Sequence, residues 1–165
     1  MKRGHNVLAV ANEFLLKEEG TQSRLTAMHL QKFCYMAHGF TWALLDEPMT
    51  SDRIEAWDYG PVYPRLYDAL RKYGSEPIPS LIYQNNWADS ERVRGKIVQD
   101  EFSEREHKII DTVWADYGEF EAFQLSTLTH EDDSPWAKVY EPGKRSITIP
   151  DSLIKEYFLE ITKLR

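Results

Sequence analysis

The segment TAMHLQKFCYMAHGFTWALL, from Thr26 to Leu45, is the longest apolar-periodic stretch of the chain and predicts its central helix. Apolar residues recur in it at three- and four-residue spacing and therefore lie on one stripe of a helix. The members of this stripe are Leu30, Phe33, Cys34, Ala37, Thr41 and Leu44. Thr26 can cap the first turn, and Pro48 follows the end of the run. Because the other face also carries large side chains, including Tyr35 and Phe40, we expect neighbouring elements on both sides.

The remaining segments predict a mainly α fold: a single-domain helical bundle of about six helices with one or two short β-strands, spanning residues 1–165. Caps and apolar stripes predict helices at 6–17, 62–73, 102–117, 119–130 and 151–164. A capping box at Ser103 and Glu106 supports the third of these. Ser134 and Pro135 predict a short helical turn. The expected helix ends are Gly20, Gly74 and Gly118.

The segments between these helices predict two short strands, a turn and a long loop. Alternating polar and apolar residues favour strands at 53–57 and 146–149. The segment from Tyr59 to Val62 is predicted as a turn that leads into a helix. Residues 75–100 are predicted as a loop with a short strand near 96–98, and loops of this length are often functional.

Composition limits the function classes. The chain has 165 residues and a net charge of −7, which opposes non-specific binding to nucleic acid. Its one cysteine, Cys34, excludes an intrachain disulfide. No stretch approaches the roughly 18 apolar residues of a membrane span, and Asn12 and Glu13 interrupt the apolar N-terminal run, so no signal peptide is expected. The expected location is cytoplasmic.

Cys34 and His38 share a face of the central helix and could form an activated thiolate pair. A buried thiol is the favoured interpretation, because Cys34 belongs to the apolar stripe. The histidines lack the close pairs of zinc sites, and the chain has no Gly-rich phosphate loop, GxSxG or HExxH motif. We therefore predict no metal site, no cofactor and no catalytic residue.

A second candidate is the loop from His130 to Ser134, which places a histidine beside three carboxylates. Acid–base catalysis or cation binding is conceivable there. The favoured interpretation is a polar loop in which Ser134 caps the next helix. If the loop is functional, His130 and Trp136 are the expected contact residues.

The segment WDYGP, from Trp57 to Pro61, could be a recognition surface, because a rigid turn presents two aromatic rings at low entropic cost. Trp57 could equally be the inward residue of a strand. Arg65, Arg71 and Lys72 lie on the following helix, where a solvated face is the simpler interpretation. A nucleic-acid patch would require them on one basic face with three further residues. These are Arg92, Arg94 and Lys96.

Four motifs occur in order: LQKFCYMAHG (30–39), IEAWDYGPVYPRLY (54–67), SPWAKVY (134–140), and ITIP followed by IKEYF (154–158). In order and spacing they resemble the SocA-like antitoxin family, also called Panacea, which includes phage-associated GepA-like proteins. The likeness spans roughly residues 8–160, and the first two motifs are the more specific ones. Phe33 and Cys34 stand where the family tends to have two aliphatic residues.

The resemblance implies a mostly helical domain of bacteria, phages or prophages that acts as an antitoxin. Characterised members bind a protein toxin encoded nearby, and one type delivers its toxin to a protease, so a host protease is a further implied partner. The motif positions are implied to form either a shared core or a shared interaction surface. The residues predicted for partner contact are Trp57, Tyr59, Gly60, Pro61, Tyr63, His38, His130 and Trp136.

The leading hypothesis is therefore a non-enzymatic binding module that neutralises a toxin by direct contact, with no membrane partner and no nucleic acid expected. An enzyme of unrecognised class that uses the His38 or His130 region is the second hypothesis, and it would require these side chains to converge in one pocket. A nucleic-acid-binding regulator is the third.

Overall fold

A computed structural model describes residues 3–18, 24–84 and 95–163. Within these ranges the chain forms seven α-helices, one 3-10 turn at Arg71–Tyr73 and one two-stranded antiparallel sheet, which confirms the predicted mainly α fold with short strands. The helices are α1 (Val7–Leu16), α2 (Ala27–Leu45), α3 (Pro64–Leu70), α4 (Glu104–Tyr117), α5 (Ala122–Thr129), α6 (Pro135–Val139) and α7 (Asp151–Lys163). The strands are β1 (Glu55–Trp57) and β2 (Gly60–Val62).

Helix α2 is the central element, as its two apolar faces predict. Helices α1, α3, α4, α5 and α7 and strand β2 all pack against it. The Thr26 hydroxyl caps its first turn, and His29 completes a capping box from the third helical position. Tyr35 and Phe40 on the second face are buried. The predicted stripe is wrong at one end, because Leu44 is 56% exposed.

The segment from Tyr59 to Val62 is not the predicted turn into a helix. Its last three residues form β2, which pairs with β1 from Glu55↔Val62 to Trp57↔Gly60, and α3 begins only at Pro64. The sequence pattern did not predict this strand, because proline is disfavoured in sheets. Pro61 lies opposite Ala56, whose N–H donates to the Ile147 carbonyl on the other side of β1. The missing N–H of Pro61 therefore costs the hairpin no hydrogen bond.

Two other predicted strands are present as single bridges. Thr148 forms a bridge to Glu55 at the outer edge of β1, within the predicted segment 146–149. Ile97 forms a bridge to Tyr83 and so confirms extended pairing near 96–98. Residues 85–94 of the predicted long loop, and Gly20, the expected end of the first helix, lie outside the described residues.

The predicted helix signals in the second half are confirmed. Ser103 and Glu106 form the capping box of α4, and Gly118 is its C-cap. The Ser134 hydroxyl accepts a hydrogen bond from the Ala137 N–H at 3.1 Å, with Pro135 at the first position of α6. Across the described ranges, no helix has both the length and the apolar character needed to cross a membrane.

Candidate functional site

Side chains of α2 hold the second strand of the hairpin from inside the protein. The Gln31 amide pairs with the backbone of Tyr63 in both directions: its oxygen accepts from the Tyr63 N–H at 2.8 Å, and its nitrogen donates to the Tyr63 carbonyl at 3.1 Å. Lys32 Nζ donates to the Pro61 carbonyl at 3.1 Å. The LQK and YGPVY motifs therefore contact each other. Side chains of the first motif bind the backbone of the second, as the backbone of a neighbouring strand would.

Lys32 places a buried amine beneath the hairpin. Its side chain is fully enclosed, and burial lowers its pKa from 10.5 to about 7. Gly60 lies directly against it with φ of +109°, a conformation that residues with a Cβ rarely adopt. A Cβ at this position would lie 2.9 Å from Lys32 Nζ and 2.9 Å from the hydroxyl oxygen of Thr129. Both the backbone angle and the available space require glycine here.

Residues of α5, α6 and the loop between them hold the turn of the hairpin through three consecutive carbonyls. Trp136 Nε1 donates to the Trp57 carbonyl at 2.6 Å. His130 Nε2 lies 3.0 Å from the Asp58 carbonyl, and the Ser126 hydroxyl donates to the Tyr59 carbonyl at 3.0 Å. Each of the three carbonyls of the turn is thus bound by a different side chain, which restricts the motion of the turn.

Aromatic rings cover one side of this turn. The Trp136 ring lies between His130, at 4.1 Å, and Tyr140, with which it stacks at 4.3 Å and an interplanar angle of 19°. The Tyr140 hydroxyl donates to the Asp58 carboxylate at 2.6 Å. These contacts fix the direction in which the turn faces.

The turn exposes a small apolar surface to solvent. Tyr59 is 71% exposed at the tip of the hairpin, and Phe123 is 69% exposed on α5. Phe123 lies one helical turn before Ser126, whose hydroxyl binds the Tyr59 carbonyl, so both rings belong to the same region. We call Asp58, Tyr59, Phe123 and the half-buried ring of Trp57 the tip surface. Large apolar groups held in the open on a rigid backbone are typical of protein contact sites.

The residues predicted for partner contact divide into two groups. Trp57, Tyr59, His130 and Trp136 lie at the hairpin turn and are brought together there. The other four, His38, Gly60, Pro61 and Tyr63, are buried. Gly60 and Pro61 form the inner strand of the hairpin, whereas His38 and Tyr63 belong to a separate hydrogen-bond chain in the core.

This buried chain joins α7, α2 and the hairpin. His38 Nε2 donates to the Asp151 carboxylate at 2.9 Å, and its Nδ1 accepts from the Thr50 N–H at 3.1 Å. The Thr50 hydroxyl lies 2.9 Å from the Tyr63 hydroxyl. Carboxylate, imidazole and hydroxyl occur in the order of a hydrolase triad, but Thr50 is only 2% exposed and no substrate can reach it. The chain links these elements, and although the Asp151 carboxylate at its end is exposed, His38, Thr50 and Tyr63 are buried and offer no surface to a partner.

The Cys34–His38 pair is not assembled for nucleophilic catalysis. Cys34 is fully buried, and burial together with the Asp52 charge raises the pKa of its thiol, the opposite of what an activated thiolate needs. Both nitrogens of His38 bond to other groups. Among the described residues, no group of three or more histidine, cysteine or carboxylate side chains could hold a metal ion.

Sequence reasoning missed Gln31 and Ser126. Both are ordinary polar helix residues, and nothing in the pattern around them indicates that they bind backbone carbonyls or amides far away in the chain. Of the basic residues considered for nucleic acid, Arg65 forms an ion pair with Asp52. Arg92 and Arg94 lie outside the described residues.

Comparison with known proteins matches residues 30–137 to the family model described as antitoxin SocA-like, Panacea domain. The chain belongs to this family. The matched range runs from α2 through the hairpin into α6, so it includes Ser126, His130 and Trp136, the three side chains that bind the turn carbonyls of this Panacea domain, whereas Tyr140 lies just beyond it. The protein named antitoxin SocA from Caulobacter vibrioides is 28% identical over 154 residues, which cover 91% of this chain and 80% of that protein. No solved structure matches.

Proposed function

We propose that this Panacea-domain protein is an antitoxin that binds a protein toxin encoded nearby and neutralises it by direct contact through the tip surface. Membership of the SocA-like family supports the antitoxin class. The observation that carries the choice of surface is Tyr59, which is 71% exposed on a turn whose carbonyls at Trp57, Asp58 and Tyr59 are all bound by side chains.

Rigidity explains why this turn suits recognition. A loop that orders itself on binding loses conformational entropy, and this loss subtracts from the affinity. The turn that carries Tyr59 is already fixed by Ser126, His130 and Trp136. A partner that covers Tyr59 and Phe123 therefore gains their apolar burial without that entropic cost.

Charge indicates the chemistry of the partner. The whole chain has a net charge of −7, and Asp58 is exposed within the tip surface. Glu131, Asp132 and Asp133, which directly follow His130, are exposed as well. An excess of exposed carboxylates attracts a basic protein and speeds its association at low salt, and the Arg145 guanidinium over the Trp57 ring offsets only part of it. We therefore expect the toxin to present a basic face with an apolar pocket for Tyr59.

The test is co-expression of this protein with each of the genes that flank its own. A toxic neighbour whose growth inhibition is relieved, and which co-purifies at equal stoichiometry, would support the proposal. The variant Tyr59→Ala/Phe123→Ser should lose both rescue and co-purification. Leu16→Ser is the matched control, because Leu16 is an exposed apolar residue on α1 and should be dispensable. Rescue by the tip variant would contradict the choice of surface, and the absence of any toxic neighbour would contradict the antitoxin function.

A second readout separates simple neutralisation from delivery to a protease, the finer mechanism that the family resemblance implies. The half-life of the toxin is measured in the host with and without the antitoxin. A shorter half-life in the presence of the antitoxin, reversed in strains that lack a cytoplasmic protease, would support an adaptor. An unchanged or longer half-life with growth restored would support neutralisation by binding.

The alternatives have less support. An enzyme built on His38 and His130 would need them in one pocket, but His38 bonds to Asp151 and Thr50, whereas His130 bonds to the hairpin turn. A nucleic-acid regulator would need a basic face on α3, where Arg65 is already paired with a carboxylate.

A further inference from the structure

Two aromatic side chains form a corner between β1 and α3. The rings of Trp57 on β1 and Tyr67 on α3 have their centroids 4.8 Å apart, at an interplanar angle of 67°. Tyr67 is 37% exposed and Trp57 is half-buried, so both rings are accessible to solvent. The faces of indole and phenol rings carry a negative partial charge and attract cations, and tryptophan attracts them most strongly.

The orientation of the Trp57 ring is fixed at two points. Its indole Nε1 donates to the Glu55 carboxylate at 2.9 Å, and its backbone carbonyl accepts from Trp136 Nε1 at 2.6 Å. The Glu55 side chain is only 6% exposed, and its second oxygen pairs with Arg53 at 2.8 Å. An acceptor on the indole N–H also raises the electron density of the ring, which strengthens the attraction between its face and a cation. The corner is therefore preorganised for a positively charged group.

A guanidinium of the chain itself occupies this corner. Arg145 Cζ lies 4.2 Å from the centre of the Trp57 ring and 5.9 Å from the centre of the Tyr67 ring. Both distances are within the roughly 6 Å over which a cation and an aromatic ring attract each other. The corner thus already holds a group of the kind that a basic protein presents, in a geometry that an arginine of a partner could reproduce.

The segment that carries Arg145 does not need this contact to keep its place. Shortly after it, the Ile147 carbonyl accepts a hydrogen bond from the Ala56 N–H of β1 at 2.9 Å. Residues 141–146 are all exposed. Arg145 can therefore leave the corner by rotation of its side chain, without disturbing buried structure or breaking the pairing with β1.

The contact between Arg145 and the rings is weak in the free protein. At an exposed site, the attraction between a cation and an aromatic ring favours the contact by only about two- to fivefold, and by more when solvent is excluded. A partner that covers the corner excludes solvent from it, so an arginine that this partner inserts binds more strongly than Arg145 does. Because one guanidinium replaces another, the rings keep a cation partner throughout the exchange.

We propose that the corner between Trp57 and Tyr67 is a subsite for an arginine side chain of the partner, and that Arg145 fills it until the partner displaces it. The inference rests on the proposed function, since the partner is the toxin and the Trp57 ring belongs to the tip surface. It names one group on the basic face of the toxin. A planar guanidinium stacks on an indole ring better than the compact, strongly hydrated ammonium of lysine does. Arg145 is a built-in competitor that lowers the affinity for cationic surfaces of poor fit.

The test uses the full-length protein and the blocked tripeptide acetyl-Gly-Arg-Gly-amide, without the toxin. Binding is followed by NMR at constant ionic strength, through the shift of the Trp57 indole N–H signal, which is identified by its absence in Trp57→Phe. The titration extends to about 50 mM, because a single side chain in such a site binds at roughly millimolar concentration. Arg145→Ala should bind the peptide roughly three- to sixfold more tightly than the wild type, a factor of one plus the equilibrium constant of the internal contact.

Lys144→Ala is the matched control, because it removes the same charge from the adjacent exposed position, where Lys144 pairs with Glu141 at 2.7 Å. Its affinity for the peptide should stay close to that of the wild type. The same peptide with citrulline, which has the shape of arginine without its charge, should show no detectable binding to Arg145→Ala. Adding Tyr67→Leu to Arg145→Ala should weaken binding of the arginine peptide by roughly twofold or more, because one of the two rings is lost. Thermal unfolding of each variant is the folding control.

Equal affinities of Arg145→Ala and the wild type overturn the proposal, because Arg145 then does not fill the site in solution. Equal tightening by Lys144→Ala also overturns it, since the overall charge would be the cause. If the citrulline peptide binds as well as the arginine peptide, or if the Trp57 signal does not shift, the corner is not a guanidinium site. The toxin is absent from this experiment, so a negative result leaves the antitoxin function standing. Conversely, a chain without a toxic neighbour could still show the guanidinium site.

Discussion

Lys32 Nζ lies 3.1 Å from the carbonyl oxygen of Pro61, inside the protein and beneath the hairpin that carries the tip surface. This contact joins the two most specific motifs of the chain, LQK on α2 and YGPVY in the hairpin. Burying an amine costs desolvation free energy. We infer that Lys32 is present because its hydrogen bond to Pro61 holds the hairpin in place. The motif residues of α2 thus support the tip surface from inside and do not form it.

The first prediction concerns the dependence of stability on pH. The pKa of Lys32 falls from 10.5 to about 7 on burial. Between these values the unfolded chain binds more protons than the folded one, so the free energy of unfolding should rise with pH. We expect the unfolding free energy of the wild type, relative to that of Lys32→Met, to rise by about 2 kcal/mol from pH 7 to pH 9, because one pH unit corresponds to about 1.4 kcal/mol. Urea denaturation at several pH values measures it.

The comparison with Lys32→Met is needed because other groups act in the opposite direction. Burial raises the pKa of Cys34, Tyr35 and Tyr63, so the folded state keeps protons that the unfolded state loses above about pH 9. These residues are present in both proteins and cancel in the difference. Parallel stability curves for the two proteins would mean that Lys32 remains charged and hydrated in the folded state.

The second prediction concerns the glycine above Lys32. Gly60→Ala should lower the free energy of unfolding by about 3 kcal/mol, because a methyl group adds crowding against Lys32 and Thr129 to the strain of a positive φ. Gly143→Ala is the matched control. Gly143 also has a positive φ, of +79°, but no atom lies within 4 Å of a Cβ built there, so only the backbone cost of about 1 kcal/mol applies. Equal effects in chemical denaturation would show that the space around Gly60 can relax.

Local patterns made most of the helices predictable. The caps at Asn6, Thr26, Ser103 and Ser134 use side chains within three residues of the backbone group they bind, so the sequence alone contains both partners. The central position of α2 also followed from its two apolar faces. The family resemblance, drawn from motif order, is confirmed by the family match over residues 30–137.

The arrangement of the tip surface could not be predicted, since its contacts join residues far apart in the chain. Trp136 binds the carbonyl of Trp57 and His130 that of Asp58, both more than seventy positions away. Periodicity carries no information about such pairs. For the same reason, the sequence could not assign Trp57 to the surface or to the core. Its ring is half-buried, with Tyr67 at 4.8 Å and the Arg145 guanidinium at 4.2 Å.

The third prediction tests whether Trp57 stabilises the fold while Tyr59 serves for partner contact. Trp57→Ala should lower the free energy of unfolding by about 2 kcal/mol, because it removes the contacts with Tyr67 and Arg145 and the hydrogen bond to Glu55. Tyr59→Ala should change it by less than about 0.5 kcal/mol, since the side chain is exposed. If the proposed function holds, Tyr59→Ala weakens toxin binding by more than about 1–2 kcal/mol in calorimetry. Strong destabilisation by Tyr59→Ala would mean that the ring is packed, and binding data from it could not be interpreted.

The last prediction concerns Asn12, which interrupts the apolar face of α1 and holds the long connection between α3 and α4. Its amide donates to the carbonyls of Ile82, at 2.9 Å, and Val98, at 2.7 Å, and its oxygen accepts from the Ile82 N–H at 2.7 Å. Asn12→Ala leaves the Ile82 N–H and the Val98 carbonyl without this partner, whereas the Ile82 carbonyl keeps its hydrogen bond from the Val98 N–H at 3.0 Å. The loss should cost about 2–4 kcal/mol. Hydrogen exchange should show the amides of Ile82 and Val98 losing protection first.

Glu13→Ala is the control for this variant, because it alters the next, half-buried position of the same helix and should leave the exchange pattern unchanged. Amides within α4, such as that of Ile110, should keep their protection in both variants, since the loss is local and does not require global unfolding. In the wild type, the long connection should exchange faster than α4 at its exposed residues but not at Ile82. Rapid exchange of Ile82 in the wild type would contradict the role assigned to Asn12, because an amide bound by a buried side chain opens only when that contact breaks.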